Sequence, residues 1–331
     1  MAQLSLIEEV KNHKKQNNMK DKFIKDLQAG DKITNFLAVI RDIKKGKTSQ
    51  NKDFIDLIVV DKSGEMTAKI WEDNIKSCEE FDLGDVVSFS GKVNEFKEKN
   101  QIIISFLQKS NQEDSSDFLP SSEKDINAML KNIQKHIAGM KNNFLKDLVN
   151  YFYADKKFLI QFKNAPAAER IHHAYVGGFV EHVNEMLELA DCLFLSFPRI
   201  DKDLLTAGIL VHDIGKLEEL AVNHTIYRTT IGSLVGHLML GAIRIGKAID
   251  EIKDFPELLE AKVLHLIASH HGKLEYGSPT LPQTREAVAL NHVDDLSTKL
   301  NVADRAIYEN QGTSAEFSDR IFALETKLFL K

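Results

Sequence analysis

The sequence predicts an all-β domain followed by an all-α domain, on three observations. Between about residues 30 and 110 the period changes to short, largely apolar β-prone runs separated by turns, with alternation at period two in 66–71. A polar stretch rich in Ser, Asp and Gln occupies 111–122. From residue 123 onward, apolar residues recur at spacings of three and four.

Taken in order, residues 1–26 read as an N-terminal helical extension. Leu4, Ile7 and Val10, then Phe23, Ile24 and Leu27, supply its apolar side, interrupted by the polar run 13–18. Residues 27–110 hold five strand candidates, at 33–43, 54–60, 66–71, 85–93 and 101–106, with a turn at 61–64. A helix-compatible segment at 73–81 precedes the fourth strand. Five short strands with a helix before the fourth is the OB-fold order, a small barrel that binds oligonucleotides or sugars across one face. Residues 111–122 form the linker, with Ser121 or Ser122 placed to cap the first helix. Residues 123–331 then read as all-α.

Composition narrows the classes. Of 331 residues 43% are hydrophobic and 28% charged, ordinary for a soluble globular chain. No apolar run reaches the ~18–20 residues that span a bilayer, so no membrane association is expected. The first ten residues carry acids where a signal peptide would carry a basic region. Cys78 and Cys192 make no metal-type spacing and no disulfide framework, which points to the cytoplasm. The net charge of −6 is uneven: residues 1–110 hold 19 basic and 18 acidic side chains, leaving −7 for the rest. A polyanionic substrate would therefore be drawn by local basic patches and by a metal rather than by the global field.

Ten of the twelve histidines fall between His172 and His292. Among them His212-Asp213 sets a neutral nitrogen donor beside an anionic oxygen donor, a pairing suited to Mn, Fe, Co or Zn. His182 sits near the start of a helix that begins at Gly177-Gly178. His212-Asp213 ends a second helix, His237 lies on a third, His270-His271 closes a fourth, and Asp294 lies on a fifth. Donors spread one or two per helix are how helical bundles build interior metal sites. Taken singly, each histidine would read as a hydrogen-bonded core residue.

The ordered set His182, His212-Asp213, Asp294 resembles the HD phosphohydrolase superfamily, and His237 with His270-His271 resembles the added ligands of its two-metal members. The runs 171–182 and 270–279, together with the OB-like front half, resemble the YhaM-type 3′→5′ exoribonucleases over about residues 24–320.

That resemblance implies two divalent ions, with Mn favoured and Fe, Co or Zn admissible. His182, His212, Asp213 and Asp294 would hold one, and Asp213, His237 and His270 the other. His271 is a further ligand or a phosphate contact. Two such cations would activate water and stabilise charge on a phosphodiester.

Lys216, one turn after His212, reads as a partner for substrate phosphate or for Asp213; the bland alternative is a solvated lysine. His173, with His172, reads as a loop contact to phosphate, and Asp295 as a residue that orients a ligand. His224, His265 and His292 fall outside the pattern, and nothing in the spacing assigns Arg228 or Arg244.

On the barrel, Phe36, Phe54 and Trp71 are stacking candidates, with Lys44, Lys45, Lys47 and Lys52 around the first hairpin. The competing reading puts Phe36 and Phe54 in the barrel core.

The implied activity is metal-dependent hydrolysis of single-stranded RNA from its 3′ end to nucleoside 5′-monophosphates, with single-stranded DNA as a second substrate. The alternatives are an HD-type nucleotide or cyclic-dinucleotide phosphohydrolase and a non-catalytic nucleic-acid-binding protein with a structural metal. The sequence leaves oligomeric state open, a homo-oligomer included.

Overall fold

Five strands form over the β-prone runs in the computed structural model, which describes residues 22–96, 99–110, 117–311 and 313–331. They are β1 (Lys32–Lys47), β2 (Asp53–Asp61), β3 (Gly64–Trp71), β4 (Val86–Phe96) and β5 (Lys99–Lys109). Their order, β1-β2-β3-β5-β4, closes on itself through antiparallel β1–β4 pairing and a parallel β3–β5 pairing. This is the Greek-key barrel of the OB fold, and closure leaves no long unpaired edge.

In β3 the pleat sends Ala68 and Ile70 into the barrel and Lys69 and Trp71 out. Phe36, Leu57, Phe89, Ile102 and Ile104 fill the interior with them. The turn after β2 is tied by Asp61, whose Oδ1 accepts from the Ser63 amide at 2.9 Å and hydroxyl at 2.6 Å. Its other oxygen accepts from the Ile24 amide at 2.8 Å, which anchors a single 3-10 turn at Ile24–Asp26 and helps seat Ile24 and Leu27 in the barrel core. Of the expected N-terminal helix, Leu4, Ile7 and Val10 lie outside the described residues, as does 111–116 of the linker.

The helix expected at 73–81 is shorter, α1 (Glu72–Ile75). The chain leaves it to pair with β5, where the Glu79 amide donates to the Leu107 carbonyl at 2.9 Å.

Backbone contacts divide the chain into two units, residues up to Pro120 with 223–225, and residues 121–222 with 226–331. The second is built from α2 (Ile126–Gly139), α3 (Asn143–Tyr153), α4 (Lys156–Asn164), α5 (Gly178–Ser196), α6 (Lys202–Val211), α7 (Lys216–Glu219), α8 (Thr230–Val235), α9 (His237–Asp250), α10 (Glu257–Ser269) and α11 (Arg285–Glu309). From Leu204 to Val211, α6 is buried on every side, which explains why its sequence is apolar or small but for Thr206. Around it pack Leu145 and Leu148 of α3, Val183 of α5, Leu266 of α10 and Leu290 of α11. Among the described residues no helix is long and apolar enough to cross a membrane.

The second unit is helical as expected, with one addition and one correction. The addition is a small hairpin of β6 (Leu220–Val222) and β7 (Ile226–Arg228), too short for alternation to show in sequence. Residues 313–331 carry isolated bridges and one 3-10 turn instead of a helix. Nor does Ser121 or Ser122 cap α2. Asp125 does, its carboxylate accepting from Asn127 and Ala128, while Ser122 Oγ donates to Glu181 at 2.6 Å.

Candidate metal centre

Seven donors come together from five places in the helical unit. His182 lies on the first turns of α5, which starts after Gly177 in the left-handed region. His212 caps the C-terminus of α6, and Asp213 follows it. His237 opens α9, His270 caps α10 with His271 next, and Asp294 lies on α11.

Gly215 is what lets α7 approach α9. A Cβ there would fall 2.1 Å from the His237 carbonyl oxygen and 2.6 Å from the Gly241 nitrogen. The His-Asp-Ile-Gly-Lys run is thus a packing requirement as well as a donor set.

Hydrogen bonds decide the tautomers. The Nδ1–H of His212 donates to the Ile209 carbonyl at 2.8 Å, that of His270 to Ile267 at 2.9 Å, and that of His271 to Tyr276 at 2.9 Å. His237 Nδ1–H donates to Glu219 at 2.9 Å. Ser297 Oγ donates to Glu185 at 2.8 Å, so it accepts the His182 Nδ1–H at 3.0 Å. Each of the five imidazoles is left with a bare Nε2.

Those bare nitrogens face one another and the carboxylates. His237 Nε2 is 3.2 Å from His271 Nε2, and His182 Nε2 is 3.2 Å from Asp294 Oδ1. His212 Nε2 is 3.2 Å from Asp213 Oδ2, while Asp213 Oδ1 lies 3.5 Å from His270 Nε2 and 3.6 Å from His237 Nε2. Acceptors turned toward acceptors repel unless a cation or added protons lie among them. His182 Nε2, His212 Nε2, His270 Nε2 and Asp213 Oδ1 are all buried without a hydrogen-bond partner. Unpaired buried polar atoms are costly, and four at one point fit a cation site.

The electrostatics agree. Burial holds the His182 and His271 imidazoles down to about 4, so both stay neutral at ordinary pH. Burial alone would push Asp213 up, but Lys216 and His212 outweigh it and keep the carboxyl well below its usual range. Burial likewise opposes ionisation of Asp294, and His182 overcomes it. His212 goes the other way, raised by Asp213 against its own burial.

Lys216 is buried, with Nζ 2.5 Å from Asp213 Oδ2. It is therefore the carboxylate's partner, not a solvated surface lysine.

His173 requires correction as a phosphate contact. Its side chain is fully buried, donates from Nε2 to Glu185 at 3.2 Å, and sits at φ +46, held there by the Asn301 side chain accepting its amide at 2.8 Å. A substrate cannot reach it. The half-buried neighbour His172, with its ring 5.2 Å from that of His182, takes the position beside the cluster. Asp295 is also corrected: it makes an exposed pair with Lys299 at 2.8 Å and orients no ligand.

His265 accepts the Gln283 amide at 2.9 Å, and His292 is exposed. Arg228 reaches Glu219 and Glu169, and Arg244 reaches Glu218. Residues unnoticed in the sequence include Glu185, Ser297 and Glu219. Glu185 and Ser297 stand three positions after His182 and Asp294, and Glu219 three after Lys216, the helical same-face spacing that could have flagged them.

On the barrel, Phe36 is core, but Phe54 is not. It lies on the outer face opposite Trp71, the two rings 6.2 Å apart and edge-on. Lys69 Nζ sits 3.9 Å from the Phe54 ring centre and 4.8 Å from that of Trp71, while paired to Asp56. Gly46 makes room for the Phe54 ring, since a Cβ would fall 2.6 Å from its Cζ. Trp71 also borders a cleft of about 260 Å³ with Thr48, Lys52 and Asp73. Lys44 shares the ring face through its pairing with Asp56, whereas Lys45 pairs with Ile55 and Lys47 is bound to Asp53 at 3.2 Å.

Comparison with known proteins gives two structural likenesses and one family match. The barrel resembles the second OB-fold domain of replication protein A from Methanococcus maripaludis, at 17% identity over 28% of this chain and 95% of that one, with a TM-score of 0.24. It also resembles an OB domain from Thermoplasma acidophilum, at 14% identity over 28% and 87%, with a TM-score of 0.23. At these scores the assignment rests on strand order alone. Residues 179–299 match the family described as HD domain, so a five-stranded barrel of OB order is followed by a helical region similar to that family.

Proposed function

We propose that this protein is a metal-dependent 3′→5′ exoribonuclease that degrades single-stranded RNA to nucleoside 5′-monophosphates, with single-stranded DNA as a second substrate. The carrying observation is the cluster of acceptors facing acceptors, centred on Asp213 and the bare Nε2 atoms around it. His182, His212, Asp213 and Asp294 would hold one divalent ion; Asp213, His237 and His270 the second, with His271 a further ligand. Manganese is the metal proposed, Fe, Co and Zn being compatible with the same donors. When bound, such ions supply Lewis acidity toward a phosphodiester and a lowered pKa for coordinated water.

The chain's own residues prepare that chemistry. Ile209, Ile267, Tyr276, Glu219 and Ser297 hold the five rings in the ligating tautomer. Lys216 keeps Asp213 ionised and adds a positive charge beside the centre. Phe54 and Trp71 offer base-stacking surface on the barrel, with the Lys69 ammonium against both rings. A strand-holding barrel favours a polynucleotide over a mononucleotide substrate, and the 3′→5′ polarity rests on the resemblance of 171–182 and 270–279 to the YhaM-type enzymes.

The test is single-stranded RNA labelled at either end and incubated with manganese. The 5′-labelled strand is expected to shorten in a ladder while the 3′ label is released as a mononucleotide. Intact RNA, or loss of the 5′ label first, overturns the reading.

A further inference from the structure

The loop following His271 lies in the run that carries the family resemblance, yet its side chains have no role described so far and only one of its backbone carbonyls does. It runs Gly-Lys-Leu-Glu-Tyr-Gly-Ser-Pro over 272–279 and contains a 3-10 turn, Leu274–Tyr276. Four bonds stiffen it: Gly272 N–H to the Ser269 carbonyl, Tyr276 N–H and Ser278 N–H to that of Lys273, and Gly277 N–H to that of Leu274. At its start, Asn291 Nδ2 donates to the His270 carbonyl at 2.7 Å. The Tyr276 carbonyl itself accepts the His271 Nδ1–H. The Tyr276 side chain therefore projects from a backbone bonded directly to the candidate centre.

This rigid loop presents an aromatic ring and a cation at that rim. Tyr276 is 53% exposed, too much for a core role. Lys273 Nζ lies 4.8 Å from its ring centre and 3.4 Å from its hydroxyl, with Glu275 at 3.4 Å as an exposed ionic partner that phosphate can replace. The Ser278 hydroxyl, two residues on, is buried without a hydrogen-bond partner.

We infer that Tyr276 and Lys273 form the subsite for the nucleotide about to be released, its base stacking on the Tyr276 ring and a backbone phosphate meeting the Lys273 ammonium. Stacking suits a processing enzyme because every base has a π face, so the subsite grips any sequence. The inference rests on the exoribonuclease reading and gives that site its means of holding the chain end.

The experiment compares kcat/KM for two RNA oligonucleotides, one normal and one whose 3′-terminal nucleotide is abasic, across wild type, Tyr276→Ala and Tyr276→Trp. Wild type is expected to prefer the normal strand about tenfold, as a single base–aromatic stack allows. Tyr276→Ala brings the ratio close to one, and Tyr276→Trp restores it. The ratio is internal to each variant, so a general loss of activity through His271 leaves it untouched and overturns the subsite. Wild type cutting both strands equally also overturns the subsite while leaving the exoribonuclease reading standing. RNA left intact by wild type overturns that reading itself.

Discussion

Lys216 and Asp213 illustrate how a single contact serves two states. Burial makes each charge expensive alone, and the 2.5 Å pair offsets that cost when no cation is near. Removing the ammonium strands a buried carboxylate, typically a loss of about 3–5 kcal/mol. A divalent ion at the centre would replace the missing charge. Lys216→Met is therefore expected to lower the unfolding free energy by about that much in chelator, with the deficit narrowing in manganese. Urea titrations of both proteins, with and without metal, check this. An equal deficit in both conditions would mean that Asp213 does not face the ion. His173 shows the opposite kind of residue, hidden from sequence reading: nothing local announces that its backbone enters the left-handed region, at a cost of about 1–2 kcal/mol, because the compensating amide bond comes from Asn301.

At the level of elements, the close approach of α7 to α9 depends on the absence of one methyl group. Gly215→Ala would drive its Cβ into the His237 carbonyl, so the start of α9 must move, and His237 with it. The expected result is a loss of about 1–3 kcal/mol in stability together with less metal retained per chain after gel filtration. Full metal retention would show that α9 can yield without moving its histidine. Elements also set what was readable in advance. The five strands announced themselves because each is a β-prone apolar run long enough to stand out between turn-rich segments, with clean alternation in β3. The β6–β7 hairpin did not, since three-residue strands carry no period. Asp125 was overlooked as the cap of α2 because the two serines before it have the same capping chemistry, and only Glu181, brought in from α5, draws Ser122 away.

For the whole molecule, the desolvated imidazoles make stability depend on acidity. His182 and His271, held near 4, and His172 and His270, also lowered, bind protons less readily folded than unfolded. Between about pH 6.5 and 4 the unfolded chain takes up more protons, so stability falls as pH drops through that window. His212 is shifted upward, so its added stability is lost only as pH rises above about 6.5 and is already complete in that window, while the contributions of Asp213 and Asp294 are lost only below about pH 4. In chelator, unfolding free energy is expected to decline from pH 6.5 to 4.5, with His182 alone contributing on the order of 3 kcal/mol. A flat profile would mean that water reaches these rings. The donor set was legible in the sequence because its residue types and order carry the chemistry. The groups that orient it were not, because Glu185, Ser297 and Glu219 are common residues that acquire a role only once the helices pack.

One bond type links folding to chemistry in a way that bears on descent. His212 and His270 end their helices by giving Nδ1–H to carbonyls of the last turn, an architectural task that persists without any metal. A relative that had abandoned catalysis would still be under pressure to keep both imidazoles. Asp213 keeps a second task as well, since it neutralises the buried Lys216. The carboxylate of Asp294 faces the bare Nε2 of His182, and its loss is the earlier mark of a retired enzyme.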